Sequence, residues 1–485
     1  MPPDGLVYML PPVRRTAFVI LALTVAAAAT AAAGARPPLF TAVVDPYAIS
    51  GDSSEAAFAA IRGVGAQFVR LPVLWSQIAP VSPSEGFDAS DPNDPAYQWH
   101  DLDSQVQEAV AAGLQPILDI NSSPAWASPL KIGGAGYPDS TKLAAFASAI
   151  ATRYSGASPG IPRVRYWQLW NEPNITVSLL PQFQGGSPAS PRVYRAMLDA
   201  FAGAVHSVSP SNVVVAGALS PFTVNYSSVK SVGPLKFMRE LLCMSGGSHP
   251  HPTCSVRLHI DVWAHHPYTS GGPFHHAANP NDVSLGDLPK MKALLGAALR
   301  AHHIVAPHGL GFWVTEFSWD TNPPDPKAVP IALQSRWTAE ALYQMWRSGV
   351  TLVTWWLLVD QPYPASSYQS GLYFHGPPFT PASRKPTWTA FRFPFVAYER
   401  PGGVFIWGRT PSSSARVVRI ERRRGGGWQG IGIIRADSHG IFSARLNVGV
   451  TATDWLRAAT GSETSLPFSL TQPPDRYFDP FGGGG

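Results

Sequence analysis

The sequence predicts an α/β fold: a (β/α)8 TIM barrel followed by a small C-terminal antiparallel β-sandwich of the immunoglobulin or fibronectin kind. Between residues 39 and 391, eight short apolar segments alternate with eight helical segments, the number of units that closes a barrel. The apolar segments are continuous, as parallel strands buried on both faces require. After about residue 397, short strands separated by Gly, Ser and Asp turns replace this alternation. An open doubly wound sheet also fits, but it usually has a Gly-rich phosphate loop after its first strand, where this chain has Asp45-Pro46-Tyr47.

Apolar runs predict the barrel strands, and residue spacing with end signals predicts the helices between them. Gly113 ends the second helix, and Ser190-Pro191 begins the fourth as an N-cap followed by a proline in the first turn. The predicted strands are Leu39–Val44, Phe68–Leu71, Pro116–Ile120, Val164–Trp170, Val213–Ala218, Ile260–Ala264, Phe312–Thr315 and Thr351–Leu357. The predicted helices are Glu55–Gly63, Asp101–Ala112, Lys142–Tyr154, Ser190–Ser207, Leu235–Met244, Leu288–His302, Ile331–Ser348 and Pro386–Phe391.

The C-terminal region is predicted to form a separate sandwich. Its tryptophans Trp407, Trp428 and Trp455 are expected to be core residues, with an exposed strip that binds polysaccharide as the alternative. We expect a leader at 1–35, the catalytic barrel at 36–395, the sandwich at 396–472 and a Gly-rich tail at 473–485. The predicted sandwich strands are Val404–Gly408, Ala415–Glu421, Trp428–Arg435, Ile441–Leu446, Trp455–Ala458 and Leu466–Leu470.

The composition narrows the class of protein. The chain has 485 residues, of which 45% are hydrophobic and 14% charged, against about 25% charged in a typical globular domain. The 43 Gly and 49 Pro indicate many loops but stay below the level of disordered chains. This composition argues against collagen, coiled coils, disordered tails and multi-span membrane proteins. The net charge of +5 is mild for such a length and does not indicate a nucleic-acid partner.

The first residues have the pattern of an export signal. Arg14-Arg15 precedes an apolar run from Ala17 to Ala33, and Ala33-Gly34-Ala35 is an A-x-A cleavage pattern. We expect a cleaved signal peptide and an extracellular protein, with an uncleaved N-terminal membrane anchor as the alternative. Cys243 and Cys254 are the two cysteines of the chain. In an oxidising compartment we expect them to form a disulfide, rather than two free thiols or a metal pair.

Two glutamates follow predicted strands, in the position where barrels of this kind carry their active sites. Glu172 stands in Trp170-Asn171-Glu172-Pro173-Asn174 after the fourth strand, and Glu316 follows the seventh. Strand alternation would place Phe312, Val314 and Glu316 on one inward face. Opposed carboxylates in an aromatic cleft suit cleavage of a glycosidic bond, because one can protonate the leaving oxygen while the other meets the developing oxocarbenium ion.

On these motifs, residues 39–395 resemble clan A of the glycoside hydrolases, closest to families five and thirty-nine. Trp-Asn-Glu-Pro is similar to the acid/base signature of the clan, and Glu316 matches its nucleophile. One departure is Gln168, where relatives often carry Glu, and we expect it not to touch the catalytic pair. Other matching segments contain Arg70 at the second strand, Asn121 at the third, His266-Pro267-Tyr268 at the sixth and Thr354-Trp355-Trp356 at the eighth.

The resemblance implies a secreted retaining glycosidase in which Glu172 is the general acid/base and Glu316 the nucleophile. An ionised Glu316 nearby would keep the pKa of Glu172 high. Because alternate strand residues point to opposite faces, only one of Trp355 and Trp356 can point inward as the sugar floor. The other implied roles are Arg70 and Tyr268 holding Glu316 ionised, Asn171 and Asn121 binding substrate, and His266 contacting sugar or Tyr268.

The expected partner is a carbohydrate, with no cofactor, no nucleic acid, and membrane contact only if the leader stays uncleaved. We expect a monomer. A loop metal site built from His249, His251 and Asp261 is the less favoured alternative to a metal-free protein. Two other functions stay open: a non-catalytic glycan-binding protein of the cell surface built on a decayed barrel, and a transglycosylase with the same residues. The sequence does not choose among glucan, xylan, mannan, galactan and glycosaminoglycan-like substrates, because subsites depend on long loops.

Overall fold

The computed structural model describes residues 37–376, 379–414, 417–474 and 476–478. The predicted leader, residues 1–35, lies outside the described residues. Within them, none of the helices combines the length and the hydrophobicity that a bilayer span requires. Cys243 and Cys254 form a disulfide, which confirms the predicted pairing.

Eight parallel strands form the closed barrel that the alternating pattern predicts. Each strand pairs with its neighbours along the chain, and the eighth pairs with the first, as in Val43 beside Trp355. The fourth strand is shorter than predicted because the backbone leaves the extended conformation at Trp170. The strands are β1 (Phe40–Val44), β2 (Phe68–Leu74), β3 (Gln115–Asn121), β4 (Tyr166–Leu169), β5 (Val213–Leu219), β6 (Val262–His265), β7 (Gly311–Val314) and β8 (Leu352–Trp356).

Helices surround the barrel and bury its outer face. All eight predicted helices are present, and a short additional helix follows β2. The helices are α1 (Ser54–Gly63), α2 (Trp75–Ile78), α3 (His100–Ala111), α4 (Ser140–Arg153), α5 (Ser190–Val208), α6 (Pro234–Leu242), α7 (Leu288–Arg300), α8 (Ile331–Arg347) and α9 (Pro386–Arg392). Three two-residue pairings occur in loops: Phe183–Gln184 with Ser187–Pro188, Leu258–His259 with Ile304–Val305, and Thr321–Asn322 with Val329–Pro330.

The barrel interior is layered. Near the N-terminal ends of the strands, the rings of Phe68, Tyr166 and Trp313 pack edge-on or tilted, with centroids 5.2 to 6.2 Å apart. Above this apolar plug, Arg70 and Asp119 occupy the next inward positions on their strands. The aromatic layer closes one end of the barrel, so the polar layer faces the opposite, C-terminal mouth.

The C-terminal region forms two antiparallel sheets, as predicted for a β-sandwich. The first strand, Phe395–Arg400, was missed because the apolar run around it continues directly from α9. The strands are β9 (Phe395–Arg400), β10 (Gly403–Arg409), β11 (Val417–Arg424), β12 (Gly427–Arg435), β13 (Ile441–Leu446), β14 (Trp455–Thr460), β15 (Glu463–Thr464) and β16 (Phe468–Ser469). One sheet has the order β9-β10-β13, and the other has the order β12-β11-β14-β15 with β16 beside β14.

The smaller sheet packs against the barrel. Trp407 is buried between the rings of Tyr343 and Trp346 on α8, at centroid distances of 5.4 and 5.5 Å. Arg409 is also buried and donates to the carbonyl oxygen of Leu39 at 3.0 Å. Burial lowers the pKa of Arg409 to about 10, so its guanidinium stays charged near neutral pH. These contacts anchor the sandwich to the N-terminal side of the barrel and place Trp407 in the core, as expected. Trp455 is 42% exposed, so the expectation of a core position was wrong for that residue.

Candidate active site

A cleft of about 610 Å³ opens at the C-terminal ends of the barrel strands. Both predicted glutamates, Glu172 and Glu316, face it. The strand ends and the loops after β1, β3, β4, β6, β7 and β8 supply its walls. Its lining residues are Pro46, Arg70, Pro72, Asp119, Asn121, Ser122, Gly134, Ala135, Trp170, Asn171, Glu172, Val177, Ser178, Tyr268, Glu316, Ser318, Trp319, Asp320, Trp356, Ser367, Tyr368 and Ser370.

A tight turn after β4 brings Glu172 into the cleft. Trp170 and Glu172 have φ angles of 66° and 47°, in the left-handed region that costs roughly 1–3 kcal/mol for a residue other than glycine. Hydrogen bonds hold the turn: the backbone N–H of Glu172 donates to the carbonyl of Ala218 at 3.0 Å, and the indole N–H of Trp170 donates to that of Ser178 at 2.8 Å. The surrounding fold therefore forces Glu172 inward.

Glu172 sits in an environment that favours its protonated form. Burial raises the pKa of Glu172 to about 7, although the positive charge of Arg70 acts in the opposite direction. Oε1 of Glu172 lies 3.1 Å from Nδ1 of His266. A carboxyl group with this pKa can hold a proton near neutral pH and release it when a neighbouring base appears.

Glu316 has the opposite environment. Nη1 of Arg70 donates to its Oε2 at 3.0 Å, and the hydroxyl of Tyr268 donates to its Oε1 at 2.9 Å. A guanidinium ion and a hydroxyl donor both stabilise a carboxylate. Arg70 and Tyr268 therefore contact Glu316 as the sequence analysis expected.

Arg70 connects the groups of the cleft. Nη2 of Arg70 donates to Oδ2 of Asp119 and to Oδ1 of Asn171, each at 2.6 Å. Burial opposes the charge of Arg70, but the carboxylates of Asp119 and Glu316 outweigh it and raise the pKa of Arg70. Because Asn171 accepts with its oxygen, its amide N–H groups are left to donate to a substrate hydroxyl.

Asp119 is a functional residue that sequence reasoning missed. It is fully buried, and besides Arg70 it accepts from Nε2 of Gln168 at 2.9 Å and from Nδ2 of Asn121 at 3.2 Å. The signal was present, because an acid within the apolar run Pro116–Ile120 can be buried only with a partner. Asn121 lines the cleft as predicted, and Gln168 bonds Asp119 rather than either catalytic candidate.

The structure corrects the strand alternation proposed for Glu316. Trp313 points into the barrel, whereas Phe312 points outward, where Lys292 of α7 lies 5.4 Å from its ring. The strand ends at Val314, and Glu316 reaches the cleft from the loop that follows. The period of two applies only while the backbone stays extended, so the predicted inward column was wrong although the residue was right.

Contrary to the expectation, His266 does not line the cleft. Its ring is fully buried, with Nδ1 on Oε1 of Glu172 and Nε2 on Oγ1 of Thr315, both at 3.1 Å. Burial lowers the pKa of His266 to about 3, so the ring is neutral and carries one proton. Such a ring donates at one nitrogen and accepts at the other. His266 therefore contacts Glu172 from behind and is not part of the cleft lining.

Of the two adjacent tryptophans, Trp356 lines the cleft and Trp355 does not. Trp355 is buried on the outer side of β8, where it packs beside Phe317 and Phe391 and its indole N–H donates to the carbonyl of Ser370 at 2.8 Å. The expectation for Trp355 as a sugar floor is therefore corrected. The edge of Trp356 meets Tyr368, at a centroid distance of 5.4 Å and a 76° interplanar angle.

We predict that these two tryptophans behave differently on substitution. Trp356→Ala should raise KM about tenfold because a stacking surface for substrate is lost, with little change in the free energy of unfolding. Trp355→Ala should lower the free energy of unfolding by about 3–5 kcal/mol because it leaves a cavity in the core. Kinetics and urea unfolding of both variants check this. Equal effects of the two substitutions on KM and stability would contradict the assignment.

The loop after β8 contributes cleft residues that no motif revealed. A buried ion pair, with Nζ of Lys385 2.6 Å from Asp360, holds the base of this loop. The backbone N–H of Gln369 donates to Oδ1 of Asp320 at 2.7 Å, which ties the loop to the one after β7. Burial raises the pKa of Asp320 to about 7. Asp320 and Tyr368 thus enter the cleft through pairings between loops that are distant in sequence.

Trp319 also lines the cleft, whereas the residues named for a loop metal site do not. Asp261 lies 3.0 Å from Nε2 of His206 and also accepts from the backbone of Val214. Among the residues that the structure describes, no group of three or more His, Cys, Asp or Glu side chains is arranged to hold a metal ion.

Comparisons with known proteins agree with this geometry. A family model described as Cellulase (glycosyl hydrolase family 5) matches residues 35–282, just over half of the chain. A family 39 glycoside hydrolase from the gut symbiont Bacteroides cellulosilyticus WH2 aligns at 17% identity and a TM-score of 0.53, over 85% of this chain and 79% of that one. A glucosidase from Croceicoccus marinus aligns at 14% identity and a TM-score of 0.50, over 86% and 94%.

The two structural alignments show a shared fold, and the comparison with curated proteins gave no match. The family match covers the first six barrel strands, including the turn that carries Glu172. The chain therefore belongs to the cellulase family, glycosyl hydrolase family 5, a membership that implies the hydrolysis of glycans.

Proposed function

We propose that this protein is a retaining glycoside hydrolase that cleaves O-glycosidic bonds of a poly- or oligosaccharide by double displacement. The observation that carries the proposal is the contrast between two glutamates in one cleft. Glu172 is surrounded by groups that favour the protonated acid, and Glu316 by donors that favour the carboxylate. A retaining glycosidase needs this division between an acid/base and a nucleophile.

In the first step, a carboxylate oxygen of Glu316 attacks the anomeric carbon and the bond to the leaving oxygen breaks. The proton of Glu172 passes to that oxygen, so an alcohol leaves and a glycosyl ester of Glu316 remains. The amide of Asn171 is placed to bind the adjacent hydroxyl, because Arg70 fixes its other end. Trp356 provides an aromatic surface under the sugar ring.

In the second step, the ionised Glu172 takes a proton from water, whose oxygen attacks the anomeric carbon. The bond to Glu316 breaks, the carboxylate is restored, and Glu172 is protonated again. Glu172 can ionise at this stage because its pKa lies near neutral pH, at about 7. Two inversions leave the anomeric configuration unchanged.

We further propose that the substrate is an uncharged sugar. Arg70 is the one cationic side chain among the described residues of the cleft lining, and it is already bound to Asp119, Asn171 and Glu316. Asp320 adds a further acid to the lining, which is partly ionised near neutral pH because burial raises its pKa to about 7. A uronic acid or sulfated sugar would meet these carboxylates without a partner and would be repelled. This disfavours glycosaminoglycan-like substrates and leaves neutral glucans, xylans, mannans and galactans.

Secretion forms part of the proposal. The apolar run after Arg14-Arg15 supports export, and the disulfide between Cys243 and Cys254 suits an oxidising compartment. The protein would act outside the cell, on a glycan of its surroundings.

The test uses protein from Arg36 onward on a panel of neutral polysaccharides and aryl glycosides. Hydrolysis would be followed by proton NMR, which distinguishes the anomers of the first product before they equilibrate. The proposal expects the product to have the configuration of the substrate. An inverted product would refute double displacement. A folded protein inactive on the whole panel would favour the glycan-binding alternative.

A further inference from the structure

The outer face of the larger C-terminal sheet has a second concentration of aromatic and charged groups. Val418 and Ile420 of the central strand β11 are buried, so the alternate residues 417, 419, 421 and 423 point away from the core. On the flanking strands, β12 and β14, the residues level with these positions share the same face. This outer face is distinct from the cleft and lies on the sandwich rather than on the barrel.

One row across this face consists of Trp428, Arg423 and Trp455. Arg423 pairs with Trp428 in the register of β11 and β12. The pairing of Arg422 with Leu456 places Trp455 level with Arg423 on the other side. Since neighbouring strands lie about 4.8 Å apart, the backbones of the two tryptophans are separated by roughly 10 Å. This distance is comparable to two linked pyranose rings, with a guanidinium group between them.

The neighbouring row, which contains Glu421 and Arg457, holds the ring of Trp428 in place. Nε of Arg457 donates to Glu421 at 2.8 Å, and its guanidinium lies 4.3 Å from the ring centroid of Trp428. Glu421 also accepts from Nε of Arg419 at 3.5 Å. The guanidinium of Arg457, which its ion pair with Glu421 holds in place, therefore covers one ring face of Trp428. This contact fixes the orientation of the indole in the absence of a ligand.

The face is positively charged and partly apolar. It carries four arginines and one acid, Glu421. The arginines are Arg419, Arg423, Arg435 and Arg457. In the described part of the chain, no acidic side chain lies within ion-pair distance of Arg423 or Arg435. The same face exposes Trp455 at 42%, Ile433 at 72% and Val417 at 49% of their surface. Exposed apolar groups clustered in one patch mark a contact surface more often than a solvated one.

We propose that this face binds an acidic polysaccharide, with sugar rings on Trp428 and Trp455 and carboxylates on Arg423 and Arg435. Pyranose rings present C–H faces that pack on indoles, and a guanidinium pairs with a carboxylate through two parallel hydrogen bonds. Arg423 lies between the two tryptophans in one row, and Arg435 adds a second cation farther along the same face, which suits a polymer that carries carboxylates. Arginines also interrupt the apolar patch that a membrane would need.

This inference goes beyond the proposed function and does not depend on it. The cleft repels acidic sugars, whereas this face attracts them. The polymer that holds the enzyme would therefore differ from the polymer that it cleaves. Such an arrangement suits a mixed matrix in which neutral and acidic polysaccharides lie side by side.

The test measures binding of the full-length chain to immobilised polygalacturonate by biolayer interferometry, with dextran as the neutral control surface. Trp455→Ala and Arg423→Gln should each weaken binding about tenfold, and added salt should weaken it further because guanidinium–carboxylate pairs are screened. Two matched controls, Tyr226→Ala and Arg300→Gln, change exposed residues of the barrel and should bind like the parent. Activity of Trp455→Ala on a small aryl glycoside should be unchanged.

Three outcomes would overturn the inference. Folded protein could fail to bind polygalacturonate at low salt. The barrel controls could lose binding as much as the sandwich variants do, which would indicate attraction by net charge alone. Duplex DNA or vesicles containing anionic lipid could bind more tightly than the polysaccharide and respond to Trp455→Ala, which would identify a different partner. Glu316→Gln is included because it should bind normally, so loss of catalysis and loss of binding are distinguished.

Discussion

Glu316→Gln is expected to lower kcat by at least about 10⁴-fold on every substrate that the enzyme accepts. The neutral amide cannot attack the anomeric carbon, so no glycosyl ester forms. The side chain keeps its size, and its amide oxygen can still accept from Arg70 or from Tyr268. The loss should therefore appear in kcat, with the variant folded and still able to bind substrate.

The measurement is steady-state kinetics on the best substrate of the panel, together with a thermal unfolding curve. Glu55→Gln is a matched control, because Glu55 is an exposed acid in the first turn of α1 and is not among the residues that line the cleft. Its kinetics should equal those of the parent. Activity of Glu316→Gln within tenfold of the parent would show that another group is the nucleophile.

Activity is expected to fall as the pH rises through about 7, because Glu172 must be protonated in the first step. Burial raises the pKa of this carboxyl to about 7, so the competent form is present below that pH and is lost above it. The alkaline limb of kcat/KM reports the acid of the free enzyme. If kcat/KM instead fell near the ordinary pKa of glutamate, so that no activity remained at pH 6, this role for Glu172 would be contradicted.

The same residue can be tested by substitution. Glu172→Gln should lower kcat/KM about 10²–10⁴-fold on substrates whose leaving alcohol needs a proton. With an aryl leaving group of low pKa, the first step needs little protonation, so the loss in kcat/KM should be much smaller and its alkaline limb should disappear, whereas kcat stays low because the second step lacks its base. An equal loss in kcat/KM on both kinds of substrate would mean that Glu172 acts in positioning rather than in proton transfer.

His266 gives Glu172 a hydrogen-bond partner that burial alone does not supply. The neutral ring bridges Glu172 and Thr315, so it can donate to the carboxylate or accept from the carboxylic acid by changing which nitrogen carries the proton. Both states of the catalytic cycle can thus keep a hydrogen bond to Glu172. This is consistent with a buried histidine behind the proposed acid/base, Glu172.

Local sequence was sufficient to predict the barrel strands, the two candidate glutamates and the disulfide. The eight apolar runs specify parallel strands because a strand covered on both faces must be apolar throughout. Trp-Asn-Glu-Pro indicates Glu172 as the proposed acid/base because its residues are contiguous and lie in one turn. The position of Glu316 after the seventh strand could likewise be found, because the C-terminal ends of all barrel strands meet at one mouth. Cys243 and Cys254 could be paired because the chain has no other cysteine.

Tertiary structure decided what depends on contacts between distant segments. Trp355 and Trp356 are equivalent in sequence, and only the pairing of β8 with its neighbours determines which one faces the cleft. The partner of Asp119 is Arg70 on another strand, and His266 meets Glu172 only after the barrel closes. The row of Trp428, Arg423 and Trp455 depends on strand register, which side-chain order along one strand does not contain. Sequence therefore supplied the chemical groups, whereas the closed barrel and the sheet register determined which of them meet, because both arise from long-range pairing.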